Sequence, residues 1–150
     1  MVFFSRLRAE RAANRDLGNG VWRRAHDRFN RSLDRVFQVI EGIEDDRLHN
    51  EFVARANDLA ELLPVVREIC REAQALTPSE DEQIPQRTAR IHRALTKSAN
   101  DLATTAQAMA MLRIQAEAGG ADMLFAVDNR ARIVTEEVGQ AQRLLRELFD

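Results

Sequence analysis

Four stretches of this chain place apolar or small side chains at alternating steps of four and three residues. The first runs Trp22, His26, Phe29, Leu33, Val36, Ile40, Ile43, and the second Phe52, Ala56, Leu59, Leu63, Val66, Cys70, Ala73. The third runs Ile84, Thr88, Ile91, Leu95, Ser98, Leu102, Thr105, Met109, Leu112, Ala116, and the fourth Leu124, Val127, Ala131, Val134, Val138, Ala141, Leu145, Leu148. That spacing keeps one face of an α-helix apolar and is incompatible with the two-residue alternation of a half-buried strand. An amphipathic helix must bury its stripe against other helices, so the pattern predicts an all-α fold. Its expected form is an antiparallel up-down-up-down four-helix bundle, because the helices are of similar length and the connections short.

Breaks between the stripes set the expected boundaries. Gly18-Asn19-Gly20 separates a basic segment, residues 1–20, from a bundle over residues 21–150, with helices expected at 21–44, 46–76, 84–118 and 121–149. Asp45 or Asp46 is placed to cap the second of these by accepting bonds from its unpaired N–H groups. Pro64 lies inside that helix and should kink it, since the apolar spacing continues beyond. Gly119-Gly120 is read as the last turn; Gly120 also keeps the spacing between Ala116 and Leu124, so a single fused rod is the competing arrangement.

The net charge of −2 hides an asymmetry. The first 35 residues hold nine Arg against four acids, and the other 115 hold 13 basic and 20 acidic residues. On the first bundle helix Arg24, Arg28, Arg31 and Arg35 repeat opposite the apolar seam. Arg90, Arg93 and Lys97 form a shorter basic stripe on the third, and Glu51, Asp58, Glu61, Glu68 and Glu72 an acidic one on the second. Some of this charge is expected to pair locally, Arg23 with Asp27 and Asp27 with Arg31. The rest is available to a protein partner or to a second copy, as in a homo-oligomer. Nucleic acid is disfavoured: Asp27 and Asp34 interrupt the stripe, and aromatic side chains are not interleaved with it.

Residues 1–17 read as a short extra helix on which Phe3, Phe4 and Leu7 cluster among Arg6, Arg8, Arg11 and Arg15. Bulky apolar groups beside arginine suit an anionic membrane surface or a protein partner. The competing expectation is that they fold back over Met111, Ile114, Phe125 or Ile133. Cys70 is the only cysteine, which removes any internal disulfide, and no apolar run approaches the ~20 residues of a membrane span. A cytoplasmic location is expected, extending to the inner face of the membrane.

No catalytic signature, phosphate loop, zinc cluster or paired Glu-x-x-His carboxylate motif is present, so neither a cofactor nor a metal is called for. Asp46-x-x-His49 reads as a capping arrangement. One core constellation, His26 with Cys70 and Thr88, falls at one level if the helices alternate; a buried histidine beside a small core thiol is the simpler account. The expected function is a non-enzymatic interaction or scaffold module, with a ligand-binding or sensory bundle built on a core cavity as its alternative.

Overall fold

The computed structural model describes residues 2–115 and 121–150, and among them the only regular structure is helical. The helices are α1 (Val2–Leu17), α2 (Val21–Glu41), α3 (Asp46–Ala60), α4 (Leu62–Leu76), α5 (Ala89–Gln115) and α6 (Ala121–Glu147). A single 3₁₀ turn, Gln86–Thr88, precedes α5. The Gly119-Gly120 turn lies outside the described residues. Lys97 on α5 nonetheless stands 3.5 Å from Glu137 on α6, so the chain folds back between them and the fused rod is excluded.

The stripes read from sequence become the core. Trp22, Phe29, Leu33, Val36 and Ile40 of α2 are buried with Phe52, Leu59, Val66 and Cys70 of α3 and α4. Ile91, Leu95, Leu102, Met109 and Leu112 of α5 and Val127, Val134, Val138 and Leu145 of α6 complete it. His26, Leu63, Leu124, Ala131 and Leu148 are only half-buried. Asp45 caps α3, its Oδ1 accepting the Leu48 N–H at 2.8 Å. At Pro64 the effect is a one-residue break: helix stops at Ala60, Glu61 keeps helical dihedrals, and α4 starts at Leu62. The missing proline N–H accounts for the interruption, and burial continues through it in phase.

Two boundaries differ from expectation. Ile84 precedes Pro85, whose ring disfavours helical geometry in the residue before it, so Ile84 stays exposed and α5 begins only at Ala89. At the end of α2 the Gly42 and Ile43 N–H groups bond three residues back, to Val39 and Ile40, which closes the helix early.

The order in which helices pack also departs from a simple meander. α2 lies against α4 on one side and α5 on the other, α6 lies against α5 and the α3–α4 pair, and α4 and α5 meet little along their lengths. Trp22 packs on His92 near one end of α2, and Gly42 meets Arg113 near the other. The two separations in sequence are nearly equal, so α2 and α5 run parallel, as the first and third helices of an up-down-up-down bundle do, but they are neighbours where that bundle would set them across its diagonal. The cause is the connection after α4, which is fastened across the start of α2. The Trp22 indole donates to the Thr77 carbonyl at 3.2 Å, the Val21 N–H to Ser79 Oγ at 3.1 Å, and the Asn19 N–H to Glu80 at 3.2 Å. The chain therefore reaches the far side of α2 before α5 begins.

Glycine is required at this crossing. Gly18 has φ +68°, and a Cβ on Gly20 would lie 2.2 Å from Ser79 Oγ and 2.4 Å from the Ser79 backbone. Gly20→Ala should therefore lower unfolding free energy by about 1–3 kcal/mol in urea titrations. Gly139→Ala should raise it by up to ~1 kcal/mol, because the new methyl meets only the flexible end of Arg143 at 3.4 Å at a half-buried helical position.

Candidate functional site

The parallel placement of α2 and α5 leaves a furrow between them, and the arginine stripe forms one wall. Arg24, Arg28, Arg31 and Arg35 are all exposed. One recess of about 400 Å³ is bordered by Arg24, Arg28, Arg31, His92 and Thr96. The next, about 300 Å³, is bordered by Arg28, Arg31, Arg35, Ser32 and Asn100. Ala25 and Ala103 are the small residues in these linings. By helix rise the four guanidinium groups are spread over roughly 16 Å.

Of the carboxylates near this wall Asp27 is engaged elsewhere, while Glu82, which borders the first recess, and Asp34 form no ion pair among the described residues. Asp27 faces Arg23 Nε and His26 Nδ1, each at 3.0 Å, and no ion pair with Arg31 forms. Among the described residues none of the four stripe arginines has a carboxylate oxygen within 4.0 Å. Arg24 donates to the Asp81 carbonyl at 2.5 Å, which orients it without neutralising it. On α5, Arg90 and Arg93 are likewise exposed and outside any ion pair, whereas Lys97 faces Glu137.

The acidic stripe is different. Arg55 holds Glu51 at 2.8 Å and also Asp128, and Arg71 holds Glu68 at 2.5 Å with Glu72 at 3.9 Å. Hydrogen bonding from Arg71 lowers the carboxyl pKa of Glu68, keeping it ionised. Only Asp58 and Glu61 of that stripe have no such partner among the described residues.

His92 was not marked by the periodicity, which passes through Ile91. It is half-buried on the furrow wall, edge-on to Trp22 at 5.7 Å between ring centroids. Loss of water lowers its pKa, and the charges of Arg24 and Arg28 lower it further. The neutral imidazole thus borders a positively charged surface, where a bound anion would favour its protonation.

The core constellation offers little chemistry. Cys70 is fully buried, and burial pushes its thiol up to about 12, so the thiolate is not formed near neutrality. Its sulfur is near the His26 backbone, while the imidazole turns to Asp27. Thr88 Oγ1 lies 2.7 Å from Thr77 Oγ1. The other buried hydroxyls on this seam are used within α5: Ser98 donates to the Leu95 carbonyl at 2.7 Å and Thr105 to the Asp101 carbonyl at 2.8 Å.

On α1, Phe3 and Phe4 are exposed, at 68% and 62%, and Leu7 is half-buried. They do not cover Met111, Ile114 or Phe125, which are exposed as well; Ile133 is half-buried. What docks is the other end of α1, through Ala13 and Leu17. Among the described residues no helix is long and apolar enough to cross a membrane, and no group of three or more His, Cys, Asp or Glu side chains could hold a metal ion.

A second polar feature went unmarked because its members flank the seams. Asp101 precedes Leu102 and Glu137 precedes Val138, so each borders the core of its helix. Glu137 is 7% exposed; neither of its oxygens nor Asp101 Oδ2 has a hydrogen-bond partner. Both residues stand 18 positions from Gly119, one before and one after, so a hairpin turn there would set them opposite one another.

Against known proteins, no family model, curated protein or solved structure matches this chain.

Loss of water and the adjacent Asp101 carboxylate raise the Glu137 pKa to about 7, with Lys97 opposing them. A carboxyl raised in the folded state binds a proton on folding; its stabilising effect is complete below the unfolded value, near 4.5, and is lost as pH rises through 7. The Glu137 contribution to folding stability should accordingly fall by on the order of 3 kcal/mol between pH 4.5 and 8. Glu137→Gln should remove most of that slope in urea titrations across this range.

Proposed function

We propose that this chain is a non-enzymatic interaction module, a four-helix bundle preceded by a basic helix, which receives an acidic protein segment along the arginine face of α2. The observation carrying this reading is the difference between the two charged stripes. Arg55 and Arg71 already serve the acidic stripe, whereas the four stripe arginines of α2 are exposed and form no ion pair among the described residues, with Glu82 the one carboxylate bordering their recesses. Arginine in this setting is suited to bidentate bonds with carboxylates, and the furrow supplies neutral partners in Ser32, Thr96 and Asn100.

The same difference favours a separate acidic partner over stripe-to-stripe self-association, since a second copy could offer only Asp58 and Glu61 of its acidic stripe without giving up the Arg55 and Arg71 pairs. Asp27 and Asp34 argue against a nucleic acid backbone, because both lie along the helix that would meet it. The alternative of a ligand held in the core loses support where the seam hydroxyls are satisfied internally.

A labelled oligo-glutamate peptide is a suitable probe. Binding should weaken steeply with salt. Arg28→Glu combined with Arg35→Glu should weaken it at least about tenfold, near 1.4 kcal/mol, without lowering the unfolding temperature. Occupancy beside Arg24 and Arg28 should raise the His92 pKa, measured by NMR titration of its ring protons. Undiminished binding by the double variant, or a His92 titration unchanged at saturating peptide, would remove the arginine face from consideration.

A further inference from the structure

We propose that α1 is a docking element that holds the protein reversibly at an anionic lipid surface. Three observations converge on it.

The first is how α1 is attached. Ala13 and Leu17 are buried, Asp16 pairs with Arg67 at 3.3 Å, and Asn14 accepts from Arg23 at 2.5 Å. From Val2 to Arg11 every residue is exposed except the half-buried Leu7. The helix is anchored to the rest of the protein by its last turns and offers its first turns to the surroundings.

The second is what those turns present. Val2, Phe3 and Phe4 are 71%, 68% and 62% exposed, and the two rings stand edge-to-face at 5.9 Å. At 100° per residue, the Phe3, Phe4 and Leu7 side is centred about 105° around the helix from the Ala13 and Leu17 side. The aromatic cluster therefore projects to the side of the docked face and stays in solvent, free to meet a plane.

The third is the charge around it. Arg8, Arg11 and Arg15 project on the same outward side by helical geometry. Arg8 and Arg11 have no carboxylate within 4.0 Å among the described residues, and Arg15 has only Asp16, at 3.8 Å. In a membrane interface the guanidinium groups would lie with headgroup phosphates while the phenylalanines enter the upper acyl region.

The dimensions of the patch favour lipid over protein. A stable protein interface buries roughly 800 Å² on each side with good shape complementarity. A few apolar side chains within two turns, flanked by Arg8, Arg11 and Arg15 on one side and Glu10 on the other, make a shallow and irregular contact for that purpose. A fluid anionic surface imposes no such demand, since lipids rearrange around the side chains. The small apolar area makes the attachment weak and reversible, dependent on both salt and anionic lipid.

The test is vesicle flotation of the full chain. With vesicles containing phosphatidylserine or phosphatidylglycerol the protein should float; with phosphatidylcholine alone it should remain below; added salt should release it. Phe3→Ser with Phe4→Ser should reduce flotation at least about tenfold, and Arg8→Gln with Arg11→Gln should reduce it as well. Both pairs are exposed, so unfolding temperatures should not change. Arg28→Glu with Arg35→Glu should float like the parent, which separates this inference from the role proposed for α2.

Failure of the parent to float with anionic vesicles would overturn the proposal, as would equal flotation by the Phe3/Phe4 variant. Loss of flotation in the α2 variant alone would identify the other arginine face as the lipid contact. A vesicle-free dimer in sedimentation that the Phe3/Phe4 variant dissociates would identify a second copy as the occupant instead.

Discussion

The connection between α4 and α5 is fastened to the first turn of α2, and much of the arrangement depends on that attachment. Thr77 accepts the Trp22 indole, Ser79 accepts the Val21 N–H, and Gly20 leaves no room between the two segments. Free N–H groups at a helix start need acceptors, and here they come from a distant stretch of chain. Once Ser79 is held there, α5 must begin beyond α2 and run parallel to it. The furrow, the exposure of the arginine stripe along its edge and the contact of His92 with Trp22 follow from that placement.

Charge is distributed unevenly on the resulting surface. Arg55 bridges α3 to α6 through Asp128 while also holding Glu51, and Arg67 ties α4 to α1 through Asp16. These cations join elements that packing already brings together. The four stripe arginines of α2 make no ion pair among the described residues, and only Arg24 reaches another element, at the Asp81 carbonyl. A solvated ion pair contributes little to stability, so the absence of partners costs the fold almost nothing and leaves the groups available. Glu137 and Asp101 are the opposite case, two carboxyls brought together inside a helix interface with one largely exposed lysine beside them.

Much of the helical core was legible in the sequence because its signal is local: a spacing of four and three fixes a face whatever that face packs against. Phe52 to Ala73 stayed in phase across the Pro64 break, and Asp45 capped where its side chain allowed. Which helices become neighbours was not legible, because it depends on hydrogen bonds between Ser79 and Val21, 58 residues apart. Ile84 illustrates a local conflict in which apolar spacing favoured helix and the following proline opposed it; the proline prevailed. His92 and Glu137 escaped notice because polar residues beside a seam resemble any solvated position until the facing helix is known. The symmetry of Asp101 and Glu137 about Gly119 was the one available clue, and using it required committing to the hairpin first.

The two proposed contacts must also be electrostatically compatible within one chain. α1 packs on α4, whose outer side carries Glu68 and Glu72, and carboxylates near an anionic surface would oppose its approach. Arg71 changes that balance. It lies between the two glutamates, bonded to Glu68 and close to Glu72, so this group of three carries one net negative charge where the two acids alone would carry two. Arg67 next to it compensates Asp16 on α1 itself. With these acids partly compensated, the field near the outward side of α1 is set chiefly by Arg8, Arg11 and Arg15, which outnumber the one exposed acid there, Glu10, while the stripe arginines of α2 sit on a separate helix beside α5. A docked α1 would therefore leave the furrow's charge unspent, and one molecule could hold a lipid surface and an acidic partner at once.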